Sequence, residues 1–279
     1  MPRKIKLEEP FDLQKTLECG QTFFWHRDGE KYYTIRNGGL LKVWQEDDKL
    51  FYENYGNRID PAEVLRIGDP LEEICEEISK DNFVSQAIQE NRGLRIINDE
   101  FFHCLISFIT SAQMQIPRIK EIQDQLAERH GKNLELEGEI YHQFPEPQRL
   151  SKVPLEELKD LGLGYRADYV KRTSEMVAEN EIRTENIKKM KYEEAKQELM
   201  KLQGVGDKVA DCVLLFSLDF LQAFPIDTWM WKVIQEKYPE LNGRNYDETS
   251  EKMRDYFGRY AGYAHEYLFH YGRTCMDFE

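Results

Sequence analysis

The chain has 279 residues, 41% hydrophobic and 32% charged, enough for one large domain or two modest ones with real cores. No apolar run approaches the ~20 residues needed to span a bilayer; the longest, "FFHCLISFIT" at 101–110, carries His103 and reads as a buried helix. The formal charge of −14 argues against coating nucleic acid by bulk electrostatics, so a DNA partner must be held at a local basic face and by neutral donors.

The N-terminal "MPRKIKLEEPFD" is charged throughout and lacks a signal-peptide apolar core, so an intracellular protein is expected (cytoplasm, nucleoid or nucleus), neither secreted nor membrane-bound. Residues 21–54 then alternate and turn as an antiparallel meander. "QTFFWHR", "KYYTIR", "LLKVWQ" and "KLFYENY" are separated by Asp28-Gly29, Asn37-Gly38-Gly39 and Glu46-Asp47-Asp48. After Asn57 the periods become helical. Apolar residues recur at i, i+3, i+4 and i+7 in segments 70–80, 100–113, 115–129, 165–180, 192–202, 207–218 and 228–238, and two further helices cover 250–260 and 263–272. The fold class expected is α+β: a small antiparallel β-sheet domain, 1–95, followed by a larger all-helical domain, 96–279. Five scattered cysteines without a CxxC pair give no disulfide framework and no zinc or iron–sulfur site.

The stretch "LQGVGDKVADCVLLFSLDFLQAFPIDTWMWKV" (202–233) carries the chemistry. Gly204 and Gly206 flank Val205 between two helices. Glycine permits positive φ and close backbone approach, Val205 can pin the helices together, and the helix starting near Asp207 offers unpaired amides to a phosphate. A bare G-x-G also fits a plain αα-corner. Lys208 and Cys212 are four apart on one helical face, beside an apolar stripe of Val205, Val209, Val213 and Phe216. First-turn position and desolvation both favour a neutral amine, which is a nucleophile and a Schiff-base former; a lysine reaching to solvent would be neither. Asp227 is placed to cap the helix that begins at Thr228, and a capping carboxylate can also face the cleft that Lys208 faces. Its rival, Asp211, is mid-helix and reads as structural. "LKDLGLGYRADYV" (158–170) echoes the hairpin at 199–213.

These residues, with "ECGQTFFW" (18–25), "CLISFITSAQMQIPRI" (104–119) and "YAHEYLFHYGR" (263–273), resemble the 8-oxoguanine DNA glycosylases of the helix–hairpin–helix Gly/Pro…Asp superfamily. The similarity runs from about residue 10 onward. It implies a bifunctional DNA glycosylase/lyase of base excision repair, monomeric, acting on duplex DNA with 8-oxoguanine opposite cytosine, and needing no cofactor or metal. Lys208 would attack the anomeric carbon of a flipped-out nucleotide, and Asp227 would stabilise the cationic sugar. Cys212 and Phe269 would sandwich the base, with His265 on the same side of the last helix. The Gly20 carbonyl would accept the N7–H that 8-oxoguanine has and guanine lacks. Tyr165 and Arg166 would fill the vacated stack, Gln113 would serve the opposite-base site, and Gly204, Gly206 and Trp229 would meet the backbone. The chain departs from the family's animal members at Gln113-Met114-Gln115, where they carry an asparagine run, at His265 (glutamine) and at Trp229 (histidine). The alternatives are a hairpin glycosylase for another damaged base and a non-catalytic hairpin module, which gives no reason for Lys208 and Asp227 together. Arg118, Lys120, Arg166, Lys171 and Arg172 are the candidates for a basic track.

Overall fold

The computed structural model describes residues 2–276. Five antiparallel strands, β1 (Arg3–Lys6), β2 (His26–Asp28), β3 (Lys31–Arg36), β4 (Gly39–Glu46) and β5 (Lys49–Gly56), form one sheet in the order β1-β5-β4-β3-β2. The expected meander is there because its turns demand it. Asn37, Gly38 and Asp47 take positive φ, which reverses the chain within the twist of the strands. β1 was not anticipated; its charged residues pair with β5 at the sheet edge, where exposed side chains are tolerated. "QTFFW" is not a strand. Gln21, Thr22, Phe23, Phe24 and Trp25 are all buried, and a strand with one solvated face cannot supply that burial. The segment runs under the helices instead, with Phe23 edge-on to Phe108 at 5.5 Å. The Gln21 side chain donates to the Thr16 and Arg95 carbonyls and accepts from the Ile97 amide, which fixes the chain just after Gly20.

The helical half holds the larger core. Helices Leu71–Ile78 and Asn82–Glu90 pack into it alongside the last helix, although they precede residue 96. One exception interrupts the helices: β6 (Asn133–Leu136) and β7 (Glu139–His142) form a hairpin over Glu137 and Gly138, both at positive φ. Tyr141 of this hairpin packs edge-on to Tyr33 at 5.5 Å and accepts from Lys42, so it covers part of the sheet.

A buried polar cluster joins the two halves. Arg36 and His103 both bond Asp99, at 2.9 and 3.1 Å, Thr22 donates to the same carboxylate, and Ser107 bonds the other His103 nitrogen at 3.1 Å. Burial opposes ionisation of Asp99, but His103 and Arg36 outweigh it and hold the carboxyl well below its ordinary range. The arrangement resembles a hydrolytic triad, yet Ser107 is 1% exposed and no substrate can reach it. Its effect is to fix helix Phe101–Ser111, whose far end meets the functional site.

Candidate active site

The hairpin forms as its glycines require. Gly204 has φ +77, and a Cβ there would lie 2.7 Å from the Tyr169 side chain. Gly206 is different: its φ is −100, and nothing would meet an added Cβ, so its value is the open space before the helix Asp207–Ser217. Val205 is buried as the pin between the helices. The echo at 158–170 is also a glycine turn before a helix, Arg166–Ala178, but both of its glycines, Gly162 and Gly164, are at positive φ. That helix buttresses the first hairpin through Tyr169 and a Thr173 hydroxyl that donates to the Gln203 carbonyl at 2.7 Å.

Lys208 stands in the first turn of the hairpin helix and is half-buried. Its Nζ lies 4.8 Å from the centre of the Phe108 ring and 3.4 Å from Ser111 Oγ. The second distance is long for a hydrogen bond, so the amine is loosely held against an apolar wall. Phe108 itself stacks on Phe216 of the hairpin helix at 5.6 Å, which explains why the ring is there.

Asp227 caps helix Thr228–Lys237, accepting from the Met230 amide at 2.8 Å. The residues before it are tied back to the hairpin helix. The Ile226 amide donates to Tyr246 Oη at 3.1 Å, and Tyr246 donates to Asp211 at 2.7 Å. Tyr192 also donates to Asp211, and Lys196 lies 3.6 Å away. Burial pushes the Asp211 carboxyl up to about 6 against Lys196 and the two hydroxyls. Asp211 is thus structural, and what it structures is the approach to Asp227.

Cys212 marks where these pieces meet. Burial pushes its thiol up to about 12; the Lys208 charge opposes the shift, while Asp211, Asp227 and Glu266 reinforce it. The amine and the distant carboxylate therefore both act on this sulfur, which stays an uncharged wall. His265 and Phe269 face the site from the last helix, Ala261–Cys275, their rings stacked at 5.8 Å and 11°. His265 is pulled down to about 3, by burial first and then by Lys208, against a hydrogen bond to the Pro225 carbonyl. It is a neutral ring at physiological pH. Gly20 closes the site from the N-terminal side at φ +112. A Cβ there would sit 2.9 Å from Arg273 Nη1, 3.1 Å from Ile116 and 3.6 Å from the Phe269 ring.

A second corner gathers Gln113, Tyr165 and Arg166. Gln113 is exposed at φ +52, and Tyr165 is 56% exposed. Arg166 is only 7% exposed: its guanidinium lies over Tyr165 at 4.5 Å and donates to the Ala112 carbonyl, beside Gln113. It therefore holds the turn that presents Gln113 and does not project to solvent. Trp229 is 40% exposed on the outside of the first turn that Asp227 caps. Of the proposed basic track, Arg118 pairs with Glu121, Lys171 with Glu175 and Arg172 with Asp168. Phe108, Ser111, Glu266 and Arg273 were not singled out from sequence. The first two come from helix Phe101–Ser111, and no local pattern announces that its end meets the hairpin helix. Arg273 could have been found, since 265, 269 and 273 share one helical face.

The family model of the 8-oxoguanine DNA glycosylase N-terminal domain matches residues 4–105, and that of the HhH-GPD superfamily of base excision DNA repair proteins matches 106–259. A probable N-glycosylase/DNA lyase of Methanothermobacter thermautotrophicus is 33% identical over 216 residues, covering 70% of this chain and 68% of that protein. The N-glycosylase/DNA lyase OGG1 of Arabidopsis thaliana is 31% identical over 282 residues, covering 92% and 76%. The Clostridium acetobutylicum 8-oxoguanine glycosylase/lyase, solved with double-stranded DNA containing cytosine opposite 8-oxoguanine, superposes with a TM-score of 0.88 at 31% identity, covering 98% of this chain and 97% of that one. Hairpin, lysine, capping aspartate and these matches define a base excision glycosylase fold of the HhH-GPD class. Within that class, the chain belongs to the 8-oxoguanine DNA glycosylase family.

Proposed function

We propose that the chain is a bifunctional N-glycosylase/DNA lyase that releases 8-oxoguanine lying opposite cytosine in duplex DNA, with Lys208 and Asp227 carrying the chemistry. The observation that carries this reading is that Lys208 and Asp227 stand at the starts of two helices, beginning 21 residues apart, that are tied together through Asp211, Tyr246 and the Ile226 amide, with Phe269 packed on Gly20. A flipped base would lie between the Cys212 sulfur and the Phe269 ring. Once it has given up its proton, the Lys208 amine attacks C1′, the C1′–N9 bond breaks, and its electrons leave with the base, which takes up a proton. Asp227 offsets the positive charge that grows on the sugar, as a carboxylate does in glycoside cleavage generally. The C1′–O4′ bond then breaks, a proton passes from Nζ to O4′, and an iminium is left between Nζ and C1′. Loss of a C2′ proton then allows the C3′–O bond to break, expelling the 3′ phosphate strand.

The neutral His265 ring, its N–H directed to the Pro225 carbonyl, keeps one acceptor nitrogen, and Gly20 offers its carbonyl to N7–H. In the proposed division, residues 1–95 supply that carbonyl and residues 96–279 supply the nucleophile. Tyr165, Arg166 and Gln113 form the corner for the opposite base, and Gly204, Gly206 and Trp229 meet the backbone through neutral donors, in keeping with the acidic chain. Action as a monomer is part of this proposal, and a chromosomal substrate supports a location inside the cell. Among the described residues, no helix is long and apolar enough to cross a membrane.

The experiment is a set of duplexes bearing 8-oxoguanine opposite each of the four bases, with undamaged controls. Release of free 8-oxoguanine with cutting on its 3′ side, fastest opposite cytosine, is expected. Tight binding without release of any base would leave only a hairpin DNA-binding module.

A further inference from the structure

The wall that would read the lesion is assembled from the two ends of the chain, and one side chain links them. Arg273 Nη1 donates to the Cys19 carbonyl at 2.7 Å across 254 residues of sequence. The same guanidinium lies 5.2 Å from the centre of the Phe269 ring. His265, Phe269 and Arg273 follow one another at helical spacing, so imidazole, phenyl and guanidinium form a continuous ladder along the last helix. Gly20 sits against this ladder at φ +112, and its neighbour Cys19 is fully buried, with its thiol turned inward to the Thr16 carbonyl. Beneath lies Glu266, 1% exposed, with Oε1 lacking a partner among the described residues; its carboxyl feels both the Cys19 thiol and the Arg273 charge. Among the described residues, no other hydrogen bond reaches the Cys19 carbonyl. Without Arg273 that carbonyl loses its one partner among the described residues.

We propose that Arg273 is a positioning residue for lesion recognition: it pins the Cys19–Gly20 peptide against the Phe269 ring, and so sets both the pocket width and the direction of the Gly20 carbonyl before a base enters. The proposal rests on the assignment of Gly20 and Phe269 to the base pocket. It adds a residue that touches neither the base nor the sugar, yet bears on the choice between a purine with N7–H and one without. A charge-assisted bond of this kind is worth enough that its loss lowers the recognition step about ten- to hundredfold.

The test compares Arg273→Ala and Arg273→Lys with the unaltered enzyme on two duplexes, one carrying 8-oxoguanine and one a preformed abasic site, under single-turnover conditions. Cutting at an abasic site needs the Lys208 amine but no base recognition. The expected result for Arg273→Ala is a ten- to hundredfold slower excision of 8-oxoguanine, with cutting of the abasic duplex within about twofold. Arg273→Lys retains a donor for the Cys19 carbonyl and recovers most of the loss. Equal loss on both duplexes would make Arg273 merely structural and overturn the proposal, as would undiminished excision by Arg273→Ala. Failure of the unaltered enzyme on both duplexes would instead strike the lysine chemistry itself.

Discussion

The two walls of the proposed site, one reactive and one for recognition, are built differently. The reactive wall is local: Lys208 follows a glycine hairpin, Cys212 is one turn on, and Asp227 caps the next helix, all within twenty residues. The recognition wall is assembled from Gly20, Ile116, Phe269 and Arg273, drawn from both ends of the chain and from the middle. Reactive groups thus sit on short, rigid, capped elements, where a few tenths of an ångström decide a rate. Recognition groups lie where separate parts of the fold close on one another, and their geometry depends on the clasp between them.

This contrast can be broken in three places. The largest effect belongs to Asp227→Asn. Asparagine caps a helix about as well as aspartate, so the melting temperature should stay within a degree or two, while 8-oxoguanine excision falls about a hundredfold or more and lesion binding persists. Full activity in this variant would reduce Asp227 to a cap. Next comes Tyr246→Phe, which removes the hydroxyl linking Asp211 to the Ile226 amide. Two buried polar groups lose a partner, at a cost of about 1–3 kcal/mol in denaturant unfolding, and excision slows because the residues before Asp227 lose their tether. Unchanged stability would mean that water replaces the hydroxyl without penalty.

The smallest effect is Glu266→Gln, read through pH. Burial first, reinforced by Asp227, raises the folded carboxyl to about 7, against the Cys19 hydrogen bond and Arg273. The folded state thus holds a proton that the unfolded chain releases near 4.3, roughly. Glu266 favours folding fully below that lower value, and the contribution is lost as pH rises through about 7. The glutamine variant should gain stability relative to the unaltered protein between pH 5 and pH 8, by at most about 3 kcal/mol. An equal difference at both pH values would mean that Glu266 does not titrate in that window.

The same contrast governs what could be read from sequence. The meander, nine of the helices, the hairpin, the Asp227 cap and the structural task of Asp211 are all local or periodic, and the sequence displays them. The strand expected at 21–25 fails because burial on both faces looks the same as strand alternation in aromatic residues. The 133–142 hairpin was hidden by its charged, helix-favouring glutamates. The Arg166 guanidinium holds the Ala112 carbonyl, and only the fold shows that this bond sits beside Gln113. Arg273 lay in plain sight on the Phe269 face, but its partner, Cys19, was 254 residues away. Local chemistry leaves a pattern in sequence, and closure across the chain does not.

The central claim is that the Lys208 amine becomes covalently joined to the sugar of the excised nucleotide. Borohydride added during incubation with 8-oxoguanine duplex tests it most directly. The account predicts a stable protein–DNA adduct, mapping to the peptide that contains Lys208 and absent from Lys208→Gln. An adduct of equal yield in Lys208→Gln would place the nucleophile elsewhere and contradict the account.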